Sequence, residues 1–253
     1  MNIIYEPKGR AAEYSLLAAN IYTGCQHGCT YCWAPGVLRM DRAEFGGNVA
    51  TRKDLLKLIE KDTANIACTA KRVLLCFTCD PYQPIDEDLK LTRVVIRILR
   101  SHYIPFQVLT KGGMRAARDF DLYSKYDAFA TTMTFLNPSD SAEWEPNAAT
   151  PADRIEAIKE AKEKGIQTWV SLEPVIDPAQ SMEIIIRTHE FVDHYKIGKW
   201  NYDERAKEIY WRDFGQRAIE LCEKYGKSYY IKNDLARYLN GVKFTNTDTR
   251  IVK

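Results

Sequence analysis

Short apolar runs alternate with longer amphipathic stretches along this chain, the pattern of strands feeding helices in βα units. Residues 16–22 form a first strand candidate. Residues 51–65 are expected to be helical, with Leu55, Leu56 and Ile59 on one face. Residues 73–77 predict a buried strand. Residues 87–101 predict a helix in which Leu91, Val94, Val95, Ile98 and Leu99 recur at helical spacing. Further strands are expected over 105–110, 128–135, 166–172 and 191–197. The plainest helix follows Thr150: that hydroxyl can cap it, Pro151 suits the first turn, and Asp153 completes a capping box. Ile155, Ile158 and Ala161 would face inward, Glu160 and Lys164 would pair outside, and Gly165 would end the helix. A long amphipathic helix over 206–225, a short strand over 228–231 and a helix over 234–239 complete the pattern. It predicts an α/β fold, an incomplete parallel (β/α)6 TIM-like barrel over 1–200, with a helix–strand–helix appendix over 201–253. Chemistry in such folds sits in the loops beyond the strands' C-terminal ends.

Composition adds bounds. With 253 residues, 45% hydrophobic and 28% charged, the chain can bury a sizeable core and is neither a disordered segment nor a disulfide scaffold. No run of about 18 apolar residues predicts a membrane span. The start, Met1-Asn2-Ile3-Ile4, lacks the basic and apolar regions of a signal peptide, so a cytoplasmic protein is expected. The net charge of +2 is silent about partners, but its distribution is uneven. Residues 73–195 carry 13 basic and 19 acidic side chains, and residues 196–253 carry 13 and 8. Tyr229, Tyr230, Lys232 and Arg237 in that basic tail mix aromatic and cationic groups as nucleic-acid surfaces do. Taken one at a time, each is better explained by a packed terminal strand with exposed charges.

Of the seven cysteines, Cys25, Cys29 and Cys32 fall within eight residues, in Cys25-Gln26-His27-Gly28-Cys29-Thr30-Tyr31-Cys32. In a reducing compartment such clustering points to metal or redox chemistry. Thiolates select zinc, copper(I) or iron–sulfur centres. A closed site normally takes four protein ligands, and the local set stops at three. Three thiolates on a four-iron cluster leave one iron open.

That spacing, after a first strand, resembles the radical S-adenosylmethionine (SAM) superfamily. The longer string from Asn20 to Ala34 resembles the branch related to spore photoproduct lyase. Thr78-Cys79-Asp80-Pro81-Tyr82-Gln83-Pro84, Leu109-Thr110-Lys111, Trp144-Glu145-Pro146 and Arg154 fit the same branch. The resemblance implies a [4Fe–4S] cluster on Cys25, Cys29 and Cys32, with SAM on the open iron. Reductive cleavage would then release a 5′-deoxyadenosyl radical that abstracts hydrogen from a substrate. It implies an external one-electron reductant of flavodoxin or ferredoxin type. It also places Tyr31 near the adenine, Cys79 and Asp80 near the methionine amine, Lys111 at the methionine carboxylate, and Thr132 or Thr134 near the ribose or methionine. His27 could orient the cluster loop, and Glu143, Trp144, Glu145 and Glu173 could line a substrate pocket.

The sequence departs from the relative where its hydrogen-donor cysteine stands, because Phe77 occupies that place with Cys76 and Cys79 on either side. If the chain is extended there, Phe77 shares its face with Cys79, which becomes the candidate hydrogen donor, and Cys76 belongs to the core. The Cys76-x2-Cys79 spacing, with Cys68 upstream, is a weak second metal signal. Three functions compete: a radical SAM enzyme acting on a nucleic-acid base, one acting on a peptide or small molecule, and a metal-binding module without catalysis. A basic channel to the cluster favours the first, a closed polar pocket the second, a fourth cysteine ligand the third.

Overall fold

The computed structural model describes residues 2–252. Its strands are β1 (Ile4–Tyr5), β2 (Leu17–Ala19), β3 (Tyr22–Thr23), β4 (Ala50–Thr51), β5 (Val73–Leu75), β6 (Phe106–Thr110), β7 (Ala128–Thr132), β8 (Gln167–Leu172), β9 (His194–Ile197) and β10 (Ser228–Ile231). Its α-helices are α1 (Ala34–Leu38), α2 (Arg42–Gly47), α3 (Leu55–Asn65), α4 (Ile85–Leu89), α5 (Leu91–Ser101), α6 (Pro138–Trp144), α7 (Pro151–Glu163), α8 (Pro178–Thr188), α9 (Trp211–Lys224) and α10 (Asn233–Ala236). One sheet runs β1-β2-β5-β6-β7-β8-β9-β10, and β3 and β4 form a separate antiparallel ribbon. β1 is antiparallel to β2, and the other pairs of the large sheet are parallel. This is the expected α/β class, an open parallel sheet of the partial-barrel kind. Ser228–Ile231 pairs in parallel register with His194–Ile197, so the C-terminal segment supplies a seventh parallel strand beyond the six expected.

The period of two along each strand sorts side chains between two cores. Leu17, Ala19, Val73, Leu75, Val108, Phe129, Val170 and Leu172 pack in the larger cluster with helix residues such as Val95, Leu99, Ile158 and Ile185. Ala18, Leu74, Ala128, Ala130 and Trp169 form a smaller cluster with Tyr14. Three of these are alanines, which leaves room on the concave face where larger residues would fill it.

Several boundaries differ from the pattern-based expectation. β5 stops at Leu75 and β7 at Thr132, because the chain turns there to build the loops of the site. The helix expected over 87–101 divides at Lys90, whose left-handed backbone (φ 50°) separates α4 from α5. Leu56 is exposed rather than on the inner face of α3. In α7 the buried residues are Arg154, Ala157, Ile158 and Ala161, with Ile155 only partly covered. The helix is rotated so that Arg154 enters the site. Thr150 Oγ1 caps α7 by accepting from Asp153 N at 3.2 Å. The Asp153 carboxylate does not complete the box but accepts from Met114 N at 3.0 Å. α6 and α8 were not anticipated.

Lys196, on β9, is buried and crosses the concave face to donate to the carbonyls of Glu13 (3.3 Å) and Tyr14 (2.9 Å). Gln107 Nε2 donates to the same Tyr14 oxygen at 3.0 Å. These contacts hold the segment before β2 inside the curve of the sheet. Burial pulls the Lys196 ammonium down to about 7, with nearby Arg250, Lys232 and Arg72 adding to it and Asp248 opposing it. The unfolded chain keeps this proton to about pH 10, while the folded chain releases it above about 7, so this group makes stability rise with pH between those limits. Lys196→Met should remove the effect. The stability of the parent relative to the variant should rise by up to about 1.4 kcal/mol per pH unit from pH 7.5 to 9.5 in urea unfolding. A pH-independent difference would contradict the assignment.

Candidate active site

The three-cysteine segment is braced on all sides by its own backbone and by distant loops. Gly24 adopts φ +87°, and a Cβ there would lie 2.5 Å from the Phe45 carbonyl, which accepts from Cys25 N at 3.0 Å. Only glycine allows that approach. Cys32 N donates to the Cys29 carbonyl at 3.1 Å. Arg42 donates to the carbonyls of Cys29 (3.0 Å) and Cys32 (2.9 Å). Gln26 and Gln83 side chains exchange bonds with the loop backbone, Gln83 Oε1 accepting from Gln26 N at 2.8 Å and Gln26 Oε1 from Ile85 N at 2.6 Å. Asn20 Oδ1 accepts from Phe77 N and Thr78 N, both at 2.8 Å, so the loops after β2 and β5 move as one.

Cys25, Cys29 and Cys32 are free thiols and line one cavity of about 740 Å³, bounded by the loops beyond the strand ends. Burial pushes the Cys25 thiol well up and Cys29 up to about 11, with Lys111 pulling Cys29 back. A metal would replace those protons. Among the described residues no three His, Cys, Asp or Glu side chains close around one metal ion. Three thiols lining one cavity are the soft donors that iron–sulfur centres take.

Lys111 lines the same cavity. Burial would lower its ammonium pKa, but Cys29, Glu145 and Asp80 outweigh burial and Arg154, so the group is raised and stays protonated. Its Nζ stands 5.5 Å from the Tyr31 ring centre. Among the described residues Nζ makes no hydrogen bond or ion pair, although the Lys111 backbone is bonded on both sides. Tyr31 also lines the cavity, and its hydroxyl is held by Thr134 Oγ1 at 3.1 Å and by Glu145. The two candidate threonines are thereby distinguished: Thr132 lines the cavity, and Thr134 is fully buried behind Tyr31. Glu145 pairs with the equally buried Arg154 at 2.6 Å. Arg154 also donates to the carbonyls of Ala149 (2.8 Å) and Thr132 (3.1 Å). Burial raises the Glu145 carboxyl, but Arg154, Lys111 and its hydrogen bonds hold it below its usual value.

Asp80 lines the cavity too, yet its oxygens are committed. Oδ1 accepts from Thr110 Oγ1 (2.6 Å) and Tyr82 N (2.9 Å), and Oδ2 from Lys111 N (2.7 Å). His27 Nδ1 stands 3.4 Å from Oδ2. Arg115 lies 3.0 Å from the other ring nitrogen of His27, and a guanidinium only donates, so the histidine proton sits on Nδ1 facing Asp80. Burial opposes ionisation of Asp80, but His27, Thr110 and the Lys111 backbone outweigh it and hold the carboxyl well below its usual range. The Lys111-Gly112-Gly113 turn is made for this approach: a Cβ on Gly112 would lie 2.7 Å from the Tyr82 carbonyl.

The extended backbone expected around Phe77 is absent, because β5 ends at Leu75. Phe77 stacks between Tyr14 (5.7 Å) and Trp33 (5.4 Å). Cys76 belongs to the main core, as expected, and borders the cavity that Cys79 also lines. Cys68 is exposed and lies apart from them. Tyr14, Ser171, Glu173 and Lys232 line the same cavity. Tyr14 donates to Glu173 Oε2 at 2.6 Å and lies 2.9 Å from Ser171 Oγ, and Lys232 pairs with the same carboxylate. Lys232 therefore faces inward, and Tyr229 is buried and donates to Glu223, while Arg237 stays exposed, so the structure turns two of these four tail residues away from solvent. Tyr14 was missed altogether, since nothing in the sequence before β2 announces that it will lie against Trp169 and Ser171 of β8 and Lys196 of β9.

Asp80→Asn would turn an amide toward donors that need an acceptor. It should destabilise the fold by about 1.5–3 kcal/mol in chemical denaturation, the range for a buried bond to a charged group. The loss should shrink as pH falls, because a carboxyl with a depressed pKa stabilises only while ionised. Equal stability of variant and parent at pH 7 would refute the bracing role.

The family model of the Radical SAM superfamily matches residues 19–192. An uncharacterized protein of Methanocaldococcus jannaschii is 28% identical over 180 residues, covering 70% of this chain and 67% of its own. One of Mycobacterium tuberculosis is 25% identical over 166 residues, covering 62% and 48%. The chain thus spans about half to two thirds of these relatives. Among solved structures, a spore photoproduct lyase variant with bound AdoMet and dinucleoside spore photoproduct superposes with a TM-score of 0.70 at 12% identity, over 90% of this chain and 78% of that one. Streptococcus suis SuiB bound to S-adenosylmethionine gives 0.64 at 14% identity, over 90% and 53%. At such identities the likeness is one of fold. The family match spans more than half of the chain and contains all three loop cysteines, so this protein belongs to the radical SAM superfamily of enzymes.

Proposed function

We propose that Cys25, Cys29 and Cys32 carry a [4Fe–4S] cluster and that SAM lies between it, Lys111, Tyr31 and Thr132. The observation that carries this reading is the Lys111 side chain, whose Nζ no carboxylate bonds, lining the same cavity as three free thiols and lying 5.5 Å from the Tyr31 ring centre. When bound, the reduced cluster and SAM supply a 5′-deoxyadenosyl radical that takes hydrogen from carbon. Lys111 pairs with the methionine carboxylate, and the Thr132 hydroxyl offers a hydrogen bond to the ribose or methionine. Tyr31, held by Glu145 and Thr134, gives the adenine a flat wall. Asp80 acts through others: it fixes the Lys111 backbone and His27, and so sets the distance between the cation and the cysteines. Phe77, Trp33 and Tyr14 exclude water from the space beyond. Cys79, which lines the cavity, would give its S–H hydrogen to the substrate radical. The thiyl radical left behind would return to the thiol by taking up one proton and one electron, the electron coming from the flavodoxin- or ferredoxin-type reductant. The electron partner is a flavodoxin- or ferredoxin-type reductant, and the working compartment is the cytoplasm. No helix among the described residues is long and apolar enough to cross a membrane.

For the substrate, the reading is a nucleic-acid base. It is supported by Lys8 and Lys199, cavity-lining cations with no carboxylate partner among the described residues, and by the bound dinucleoside of the lyase with the same fold. A second reading, a small polar molecule or peptide, rests on the Tyr14–Glu173–Lys232 set that lines the same cavity.

Anaerobically reconstituted protein should be brown, hold about four irons per chain and show a reduced-cluster EPR signal that changes with SAM. Alanine at any of the three loop cysteines should abolish it, and a colourless protein with one tight zinc would end the reading. Lys111→Ala should keep the iron and weaken SAM binding by roughly 10- to 100-fold, the loss of one charge-assisted bond. Unchanged affinity would remove Lys111 from the site. Cys79→Ala should keep both the iron and SAM cleavage but divert the product. Loss of the cluster would make Cys79 a ligand instead, and normal product would exclude it as donor. Deuterium transfer into 5′-deoxyadenosine from DNA, RNA or a small-molecule extract separates the two substrate readings.

A further inference from the structure

Residues 199–202 form a wall shared by two cavities. One is the site described above, and the other, of about 690 Å³, opens beside it onto the surface. Three tyrosines on this side are turned to solvent: Tyr202 (80% exposed), Tyr210 (86%) and Tyr238 (45%). Folding normally covers such rings, and a group of exposed aromatics marks an interaction site. Tyr202 is held there in a left-handed backbone, φ +66°, a conformation that is strained for a residue with a side chain. Arg10 lies over its ring at 5.0 Å, and Lys199 Nζ is 5.2 Å from the Trp211 ring and 5.1 Å from that of Tyr238.

The charges beside these rings are unevenly matched. Asp203, Glu204 and Asp213 are each paired, with Arg205, Lys207 and Arg217. Asp234 is paired with Arg10 and Arg237. Glu208 is the remaining carboxylate of the segment. Lys8, Lys199 and Arg212 have no carboxylate partner among the described residues. The shelf therefore presents aromatic faces with a small cationic excess, and it leads directly to the mouth of the barrel.

We infer that this shelf binds single-stranded nucleic acid, with bases stacked on Tyr202 and Tyr210 and phosphates on Lys199, Arg212 and Lys8. Every base has a face that stacks on an aromatic ring, and cations beside the rings track the backbone. A strand lying there can turn one unstacked nucleotide into the cavity, as enzymes that work on bases require. The inference rests on the nucleic-acid reading of the substrate but not on cluster chemistry, and binding is measured without turnover.

The test is fluorescence anisotropy of the anaerobically reconstituted protein with a labelled twelve-residue oligothymidine, against a duplex of the same length. The single strand should bind more tightly, with log affinity falling linearly in log salt at a slope of about −0.7 per phosphate contacted. Tyr202→Ala and Tyr210→Ala should each weaken binding by about 5- to 100-fold. Lys199→Gln should flatten the salt slope by about 0.7. Tyr210→Ala should leave iron content and substrate-free SAM cleavage at the parent level, which separates failure of the shelf from failure of the SAM site. Absent binding, equal binding of the duplex, or unchanged affinity in both tyrosine variants would overturn the inference. So would a dimer in sedimentation that Tyr210→Ala dissociates, since the shelf would then belong to a second copy of the chain.

Discussion

A single ionised carboxylate holds the candidate site together. Asp80 gathers a hydroxyl and a backbone N–H from the end of β6, an N–H from its own loop, and the His27 ring from the cysteine segment. These groups come from three separate stretches of chain. Each donor is buried or half-buried, so without an anionic acceptor each would lose a bond to water and gain none. The distance from the three cysteines to Lys111 is set through this one group. Asp80 therefore contributes more by arranging its neighbours than it could by touching a ligand, because its accepting positions are already in use.

A second buried pair works on the opposite side of Lys111. Removing Glu145 and Arg154 from water is costly, and the cost is offset only because each makes further bonds, Glu145 to Tyr31 and Arg154 to two carbonyls. Tyr31 is thereby tied to α7 and β7, well away in sequence. Cys29 and the carboxylates of Glu145 and Asp80 favour the charged form of Lys111, while none of them bonds its Nζ. A cation in that state is stabilised in place and still free to meet an incoming anion.

The space these groups face follows from residue size. Alanines on the concave face of β2 and β7 leave a hollow that Tyr14 and Trp169 fill only in part. The hollow is lined by the three thiols, by the Trp33, Phe77 and Tyr14 rings in contact with one another, and by Glu173 and Lys232, which the Tyr14 hydroxyl joins in one hydrogen-bonded set. Soft, apolar and hydrogen-bonding groups thus share one cavity.

The α/β class, most of the parallel strands and the three-cysteine motif were legible in the sequence. Each depends on local signals, namely the hydrophobic period, a helix cap at Thr150, and thiols at short spacing in Cys25 to Cys32. Lys111 and Tyr31 were legible as candidates only through a resemblance, and the sequence left Thr132 and Thr134 equivalent. The tertiary structure distinguished them, because the turn after β7 sends one hydroxyl to the cavity and the other behind Tyr31. It also decided that β5 ends before Phe77, that β10 joins the sheet, and that Lys232 points inward to Glu173. None of these outcomes has a local cause. Each depends on which residues, tens or hundreds of positions apart, are left facing one another once the sheet has curved, and a one-dimensional pattern does not carry that information.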